Sequence, residues 1–198
     1  MRPRLFAGFA MVEAMVTVVV VAFGLLGVAG LVSRSFVTEV EGTQRTQAVL
    51  LLQDMITRIE ANRANPAAYV TGDAGITGYV PSTTTVAVCN PAAPLADRDR
   101  CEWGRLLLGA NEQVDTRNAG VLVGAIGCIY EIDSFNRVYA VTIAWQSMSA
   151  GPVPPGDNDP LPKAFPPNEC GRDRFDDESL GQTTRRVITM PVRLATLT

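Results

Sequence analysis

Two sets of residues in this chain have the types and spacing to do chemistry. The first lies at the N-terminus. Arg2 and Arg4 are followed by Gly8, Phe9 and Glu13, and then by an apolar run from Ala14 to Val32. A lone carboxylate in such a segment costs about 2.5–3.5 kcal/mol at a bilayer centre and less near an interface. Glu13 is therefore a functional-site candidate by default. The second set is Cys89, Cys101, Cys128 and Cys170. Their spacings hold no Cys-x-x-Cys pair, so neither a zinc site nor a dithiol redox site is expected. An even cysteine count outside a membrane reads as two disulfides in an oxidising compartment. Three pairings are open. The favoured one joins Cys89 to Cys101 as a local clip and lets Cys128–Cys170 tie a strand to a long loop. Each bond would stabilise by roughly 2–4 kcal/mol.

Other chemistry finds little support. The chain has no histidine, which removes the commonest general base and the commonest metal ligand. No Ser or Cys nucleophile can have a His partner. The acids Asp54, Glu60, Asp97, Asp99, Glu102, Asp133, Asp173, Asp176, Asp177 and Glu178 mostly fall in expected loops or on exposed helix faces. Asp157 and Asp159 with Asp176–Glu178 supply the oxygens Ca²⁺ prefers, but no EF-hand spacing is present, and a hydrated acidic loop is the preferred reading. No catalysis, metal or cofactor is expected. The net charge of −3 becomes −5 once Arg2 and Arg4 are set aside. An acidic chain of this kind does not suggest nucleic acid as a main partner.

The elements that must carry these residues can be read from periodicity. After Val32, apolar residues at Val40, Ala48, Leu51, Leu52, Met55 and Ile59 recur at helical spacing. Glu41, Arg45, Gln53, Arg58 and Glu60 fill the other faces. Pro66 ends the pattern and pushes Asn65 away from helical angles. One helix is expected from about Phe9 to Asn62, roughly 80 Å long, apolar nearly all round in its first half and amphipathic in its second. Gly24, Gly27 and Gly30 weaken the first half, and close helix packing is their preferred role. Loops follow, with Gly72, Gly75, Gly78, Pro81, Pro91 and Pro94. A short amphipathic helix is expected over Cys101–Leu108. Strands are expected over Val121–Ile132, Val138–Gln146 and Arg185–Leu194, the first two forming a hairpin through Asp133–Arg137. Pro191 marks the last strand as an edge or a bulge. Ser147–Thr183 is a proline-dense loop. The fold class is α+β: a long N-terminal helix packed on a C-terminal antiparallel sheet.

An ordinary secretory signal accounts for the basic start but not for the length of the apolar run or the helix that continues out of it. A plain membrane anchor accounts for Ala14–Val32, since about 20 apolar residues cross a bilayer, but not for Gly8-Phe9 or Glu13. Arg2 and Arg4 place the N-terminal end in the cytoplasm.

Gly8-Phe9-Ala10-Met11-Val12-Glu13 resembles the prepilin leader junction of type IV pilins, whose common form is Gly-Phe-Thr-Leu-Ile-Glu. Further likeness lies in Gly24-Leu25-Leu26-Gly27, in Leu51-Leu52-Gln53-Asp54-Met55 with Arg58 and Ala61-Asn62-Arg63, and in Val141–Trp145. Together these resemble the minor pilins of the type IV pilus modification protein PilV family. That resemblance implies a pilin fold and cleavage between Gly8 and Phe9 by prepilin peptidase, followed by N-methylation of Phe9. It implies a role for Glu13, fifth residue of the mature chain, in assembly. It divides the chain into a leader (1–8), a membrane or filament-core helix (9–32), an amphipathic helix half (33–65) and a globular β domain (66–198). The implied function is priming of pilus assembly or a place in the tip complex. The implied partners are other minor pilins, the major pilin, prepilin peptidase, the inner-membrane assembly platform, a tip adhesin and, before assembly, membrane lipid. The implied location is the inner membrane, with the domain facing the periplasm, and then the pilus at the cell surface. Minor pseudopilins of type II secretion share the leader and are the alternative.

Overall fold

The computed structural model describes residues 7–77, 88–109, 113–114, 117–118, 122–154, 169–172, 174–175 and 182–195. Residues 1–6, Gly78, Pro81, the acidic positions Asp157, Asp159, Asp173, Asp176, Asp177 and Glu178, and prolines 155, 160, 162, 166 and 167 lie outside the described residues. The chain divides into two compact units, Met1–Val40 and Glu41–Thr198.

One helix, α1 (Ala7–Ala61), runs for 55 residues, ending one residue before the expected stop. From Met11 to Phe36 every side chain is exposed. In the second unit α1 becomes amphipathic as expected. Ala48, Leu51, Leu52, Met55 and Ile59 are buried, at the three-and-four spacing that puts them on one face. Pro66 then starts a single 3₁₀ turn, Pro66–Tyr69, which swings Tyr69 into the core.

That face meets a four-stranded antiparallel sheet. Its strands are β1 (Ile76–Thr77), β4 (Val123–Asp133), β5 (Val138–Gln146) and β6 (Arg185–Arg193), in the order β1-β4-β5-β6. A separate two-stranded ribbon is formed by β2 (Gln113–Val114) and β3 (Arg117–Asn118). The architecture is α+β, a long helix on an antiparallel sheet. Strand β5 has the bounds its alternation predicts. β4 starts at Val123 rather than Val121, and its pairing with β5 is interrupted by bulges between Val123 and Ile126 and between Glu131 and Asp133. β6 is an edge strand, and Pro191 lies in it opposite Ala140. β1 adds a strand to the three expected. Two residues carry no readable period, and Gly75 before it sits at φ +58, where an added Cβ would lie 2.8 Å from Ile126.

β5 is buried on both faces. Tyr139, Val141, Ile143 and Trp145 join the core under α1. The small-residue side of β5 is covered by a second layer, in which Cys170 and Phe175 pack with Ile126, Cys128, Tyr130 and Ala144. The disulfide Cys128–Cys170 holds this layer to the sheet, closing 42 residues of chain. The other disulfide, Cys89–Cys101, closes 12.

The helix α2 (Leu95–Leu107) corrects the expected Cys101–Leu108, beginning directly after Pro94. Ala96, Asp99, Trp103 and Leu107 form its buried stripe. Asp99 occupies an apolar position of that stripe and hides the first turn from periodicity. Trp103 is wholly buried. Its indole N–H donates to the Leu51 carbonyl at 2.9 Å, and its ring packs against Gly127, where an added Cβ would overlap it.

Asp99 belongs to a polar network that also joins α1 to α2. Arg58 donates to Asp54 at 2.9 Å, to Asp99 at 3.1 Å and to Glu102 at 2.8 Å. The Tyr69 hydroxyl donates to the other Asp99 oxygen at 2.5 Å and accepts from Asn62 at 3.2 Å. Burial works against the Arg58 charge, but the bonds to Glu102 and Asp54 outweigh it and raise its pKa. The Arg58 bond lowers the pKa of Glu102. Burial, and then donation to Asp99, push the Tyr69 hydroxyl up to about 12.

Both contacts can be tested by substitution. Gly127→Ala forces the methyl into the Trp103 ring, and overpacking of this kind costs about 1–3 kcal/mol. Thermal unfolding of the detergent-solubilised chain should show a lowered midpoint, which Trp103→Leu in the same chain partly restores. An unchanged midpoint for Gly127→Ala alone would refute the close packing. Tyr69 has a raised folded pKa, so its stabilisation is complete below its unfolded value near 10 and is lost as pH rises toward about 12. Tyr69→Phe should be less stable at pH 8, by about 1.5–3 kcal/mol for a hydrogen bond to a charged group. It should also show a smaller further loss between pH 9 and 12. Parallel pH curves for the two proteins would contradict this assignment.

Candidate functional site

α1 carries Gly8, Phe9 and Glu13 in consecutive turns of one helix. The side chains of residues 7–10 lie outside the described set. Phe9 and Glu13 stand four apart, the spacing that shares a helix face. Glu13 is exposed. Between Met11 and Ser33 it is the only charged residue. Thr17 turns its hydroxyl back onto the Ala14 carbonyl at 2.9 Å, which leaves the surface beyond Glu13 apolar. One side of it is lined by Met11, Ala14, Met15, Val18 and Val19. The most apolar window of α1 has a mean hydropathy of 2.6, none of it buried. Ala14–Val32 spans about 28 Å at 1.5 Å per residue, close to the thickness of a hydrocarbon core. The helix is thus long and apolar enough to cross a membrane, with its carboxylate just outside one end of the apolar run.

Gly24, Gly27 and Gly30 have no atom within 4 Å of an added Cβ. Among the described residues nothing packs against them, so close helix packing would need another helix.

The four cysteines form the favoured pairs, and none of them is free. Cys128 and Cys170 are fully buried. Arg185, also buried, donates to the Cys170 carbonyl at 2.8 Å, which fixes the bonded turn to the start of β6.

Several carboxylates inside the described residues serve as hydrogen-bond acceptors. Asp54, Asp99 and Glu102 surround Arg58. Asp73 accepts from the Tyr130 hydroxyl at 3.0 Å, and Glu131 from Tyr139 at 3.0 Å. Asp133 caps its own turn, accepting from the Asn136 backbone at 2.9 Å and side chain at 2.6 Å. Asp97 pairs with Arg100. Among the described residues no three His, Cys, Asp or Glu side chains are grouped to hold a metal ion.

Glu41, expected only to fill a polar helix face, has a specific place in the structure. It accepts hydrogen bonds from the Ser147 hydroxyl at 2.6 Å and from the Ser149 hydroxyl. Those bonds lower its pKa, Ser147 most, and Arg186 adds to the effect while desolvation opposes it. Arg186 itself donates to the Ser149 carbonyl at 2.9 Å and the Thr183 carbonyl at 2.8 Å. No short-range pattern marks this cluster, because Glu41 lies more than a hundred residues from the other members. The buried Asp99 is legible in principle, as a charge on an apolar helical stripe.

No family model, no curated protein and no solved structure matches this chain. The functional reading therefore stands on the N-terminal residues, the helix that carries them and the α+β fold.

Proposed function

We propose that this chain is a minor pilin of a type IV pilus, of the PilV kind, which primes assembly or takes a place in the tip complex. The observation that carries the reading is the single helix α1. It joins the Gly8-Phe9…Glu13 pattern, an uncovered apolar half and a half clad by an antiparallel sheet without interruption. A plain membrane anchor accounts for the apolar half but not for Gly8-Phe9 or Glu13.

The mechanism follows from the charges. Prepilin peptidase removes residues 1–8, and Phe9 becomes a methylated amine. The leader arginines depart with the cytoplasmic end, and the only charges left near that end of the apolar run are the new amine and Glu13. In one helix the two meet only partly, since the amine is the helix start. Facing Glu13 of a neighbouring subunit, the amine finds a full partner in an apolar setting. There an unpaired charge is penalised by several kcal/mol. The pair thus selects axial register more than it adds net stability.

The partners are then other minor pilins, the major pilin, the assembly platform in the inner membrane and a tip adhesin, with lipid covering α1 before assembly. The protein is not an enzyme, and nucleic acid is not a main partner. The alternative, a minor pseudopilin of type II secretion, uses the same leader and fold. Finding further prepilins and a large adhesin encoded beside it would favour the pilus, and finding secretion components would favour the pseudopilus.

Mass spectrometry of the mature protein should begin at N-methyl-Phe9, and Gly8→Ala should leave uncleaved precursor, since the peptidase needs close backbone approach. A mature chain with an intact Met1 would remove the pilin reading. Glu13→Ala and Glu13→Gln should both be cleaved and methylated yet enter sheared pili and minor-pilin complexes poorly. Normal assembly of Glu13→Ala would sink the charge pairing.

A further inference from the structure

The Glu41 cluster joins two parts of the second unit that are otherwise held apart in sequence. Glu41 is the first residue of that unit. Its partners Ser147, Ser149 and Arg186 sit at the neck of the long β5–β6 connection. The two sides of this neck are bridged by Ser147 N–H to the Thr184 carbonyl and Gly151 N–H to the Thr183 carbonyl, each 2.8 Å. Gly151 leaves room for the Arg186 guanidinium, which would lie 2.5 Å from an added Cβ. One carboxylate on α1 therefore holds one side of the neck directly, through Ser147 and Ser149, and Arg186 ties that side to the other by donating to the Ser149 and Thr183 carbonyls.

The stretch of helix behind this grip is locally weak. From Glu41 to Gln47 the buried side chain is Gln44, and apolar burial begins only at Ala48. Gly42 has nothing within 4 Å of an added Cβ. A glycine inside a helix costs about 1 kcal/mol relative to alanine, and no neighbour here requires it. The Thr46 hydroxyl donates back to the Gly42 carbonyl at 3.0 Å. Such back-bonding slightly destabilises and bends helices. The weak glycine thus adjoins the polar grip at Glu41.

We propose that Glu41 is a releasable latch, coupling the Glu41–Gln47 stretch of α1 to the neck of the β5–β6 connection so that both open together. The latch lets the first turns of the domain-bound helix loosen without disturbing the Ala48–Ile59 core contacts. It does not depend on the pilin reading, since it concerns the second unit alone.

Hydrogen exchange of the full chain in detergent micelles tests the coupling. Glu41→Ala should speed exchange about tenfold or more, the range expected for lost bonds to a charged group. It should do so in both 41–47 and 147–151, leaving Ala48–Ile59 unchanged. Ser147→Ala with Ser149→Ala should give the same pattern from the other side. Gly42→Ala meets no atom and strengthens the helix, so it should slow exchange about fivefold at 41–47. Because coupling is reciprocal, it should also slow exchange at 147–151. Three results would overturn the latch. In the first, Glu41→Ala changes one segment without the other. In the second, Gly42→Ala slows the helix alone. In the third, exchange rises uniformly through Ala48–Ile59, making the contact a part of the global fold.

Discussion

From Met11 to Phe36 every side chain of α1 is exposed. An apolar surface that long is not stable in water, so every other feature of the molecule must accommodate it. A helix is the one single-strand structure that satisfies its own backbone and can be surrounded by hydrocarbon or by other apolar helices. That requirement explains why the element is helical despite a run of β-branched residues at Val16–Val21, which favour strands when half-buried in water. It also explains why polar groups there are few and accounted for. Thr17 bonds its own backbone, and Glu13 lies outside the apolar run. On the proposed reading the cover changes from lipid to neighbouring subunits. The bare glycines at 24, 27 and 30 are then surfaces for close approach, since none of the described residues packs against them.

The same helix must also organise a water-soluble domain, and its second half does so through one stack of contacts. Leu51 and Leu52 lie in the buried stripe, the Leu51 carbonyl receives the Trp103 indole, and the Trp103 ring rests on Gly127 of β4. Helix, helix and sheet are thus tied through one side chain. The Arg58 network closes the far end of the same interface. Its three carboxylates exceed its one guanidinium, and the difference is absorbed by hydrogen bonds from Tyr69 and by partial exposure of Asp54 and Glu102. Breaking such a network on one side leaves a charge unmatched, which costs more than the intact network contributes.

Periodicity makes the two long-range elements legible. The 3–4 spacing of Ala48, Leu51, Leu52, Met55 and Ile59, and the 2-residue alternation through β5, are strong because each side chain on those faces is buried. Pro191 announces an edge strand by its missing N–H. The signal fails where burial and polarity disagree. Asp99 sits in the apolar stripe of α2, so the helix reads as starting at Cys101 instead of Leu95. β1 is two residues long, and β2 and β3 are no longer, too short for any period. At the N-terminus the motif is plain from residue types alone, because a carboxylate beside an apolar helix has few bland explanations. The Glu41 cluster is not, since hydrogen bonds between Glu41 and Ser147 leave no trace in local sequence.

The disulfides divide along the same line. β5 presents large residues to α1 and Ala140, Thr142 and Ala144 to the other side. That second face is shallow. A helix would stand too far from it, whereas a chain segment carrying Cys170 and Phe175 can lie close. An irregular segment has little backbone pairing of its own to hold it there. The Cys128–Cys170 bond supplies the missing constraint, and the Arg185 bond to the Cys170 carbonyl extends it to β6. Cys170 and Phe175 thereby become part of a second layer of the core. Among the described residues the neck of that connection is held by hydrogen bonds, and on the proposed latch the place where Glu41 grips it is also the place where the domain can give.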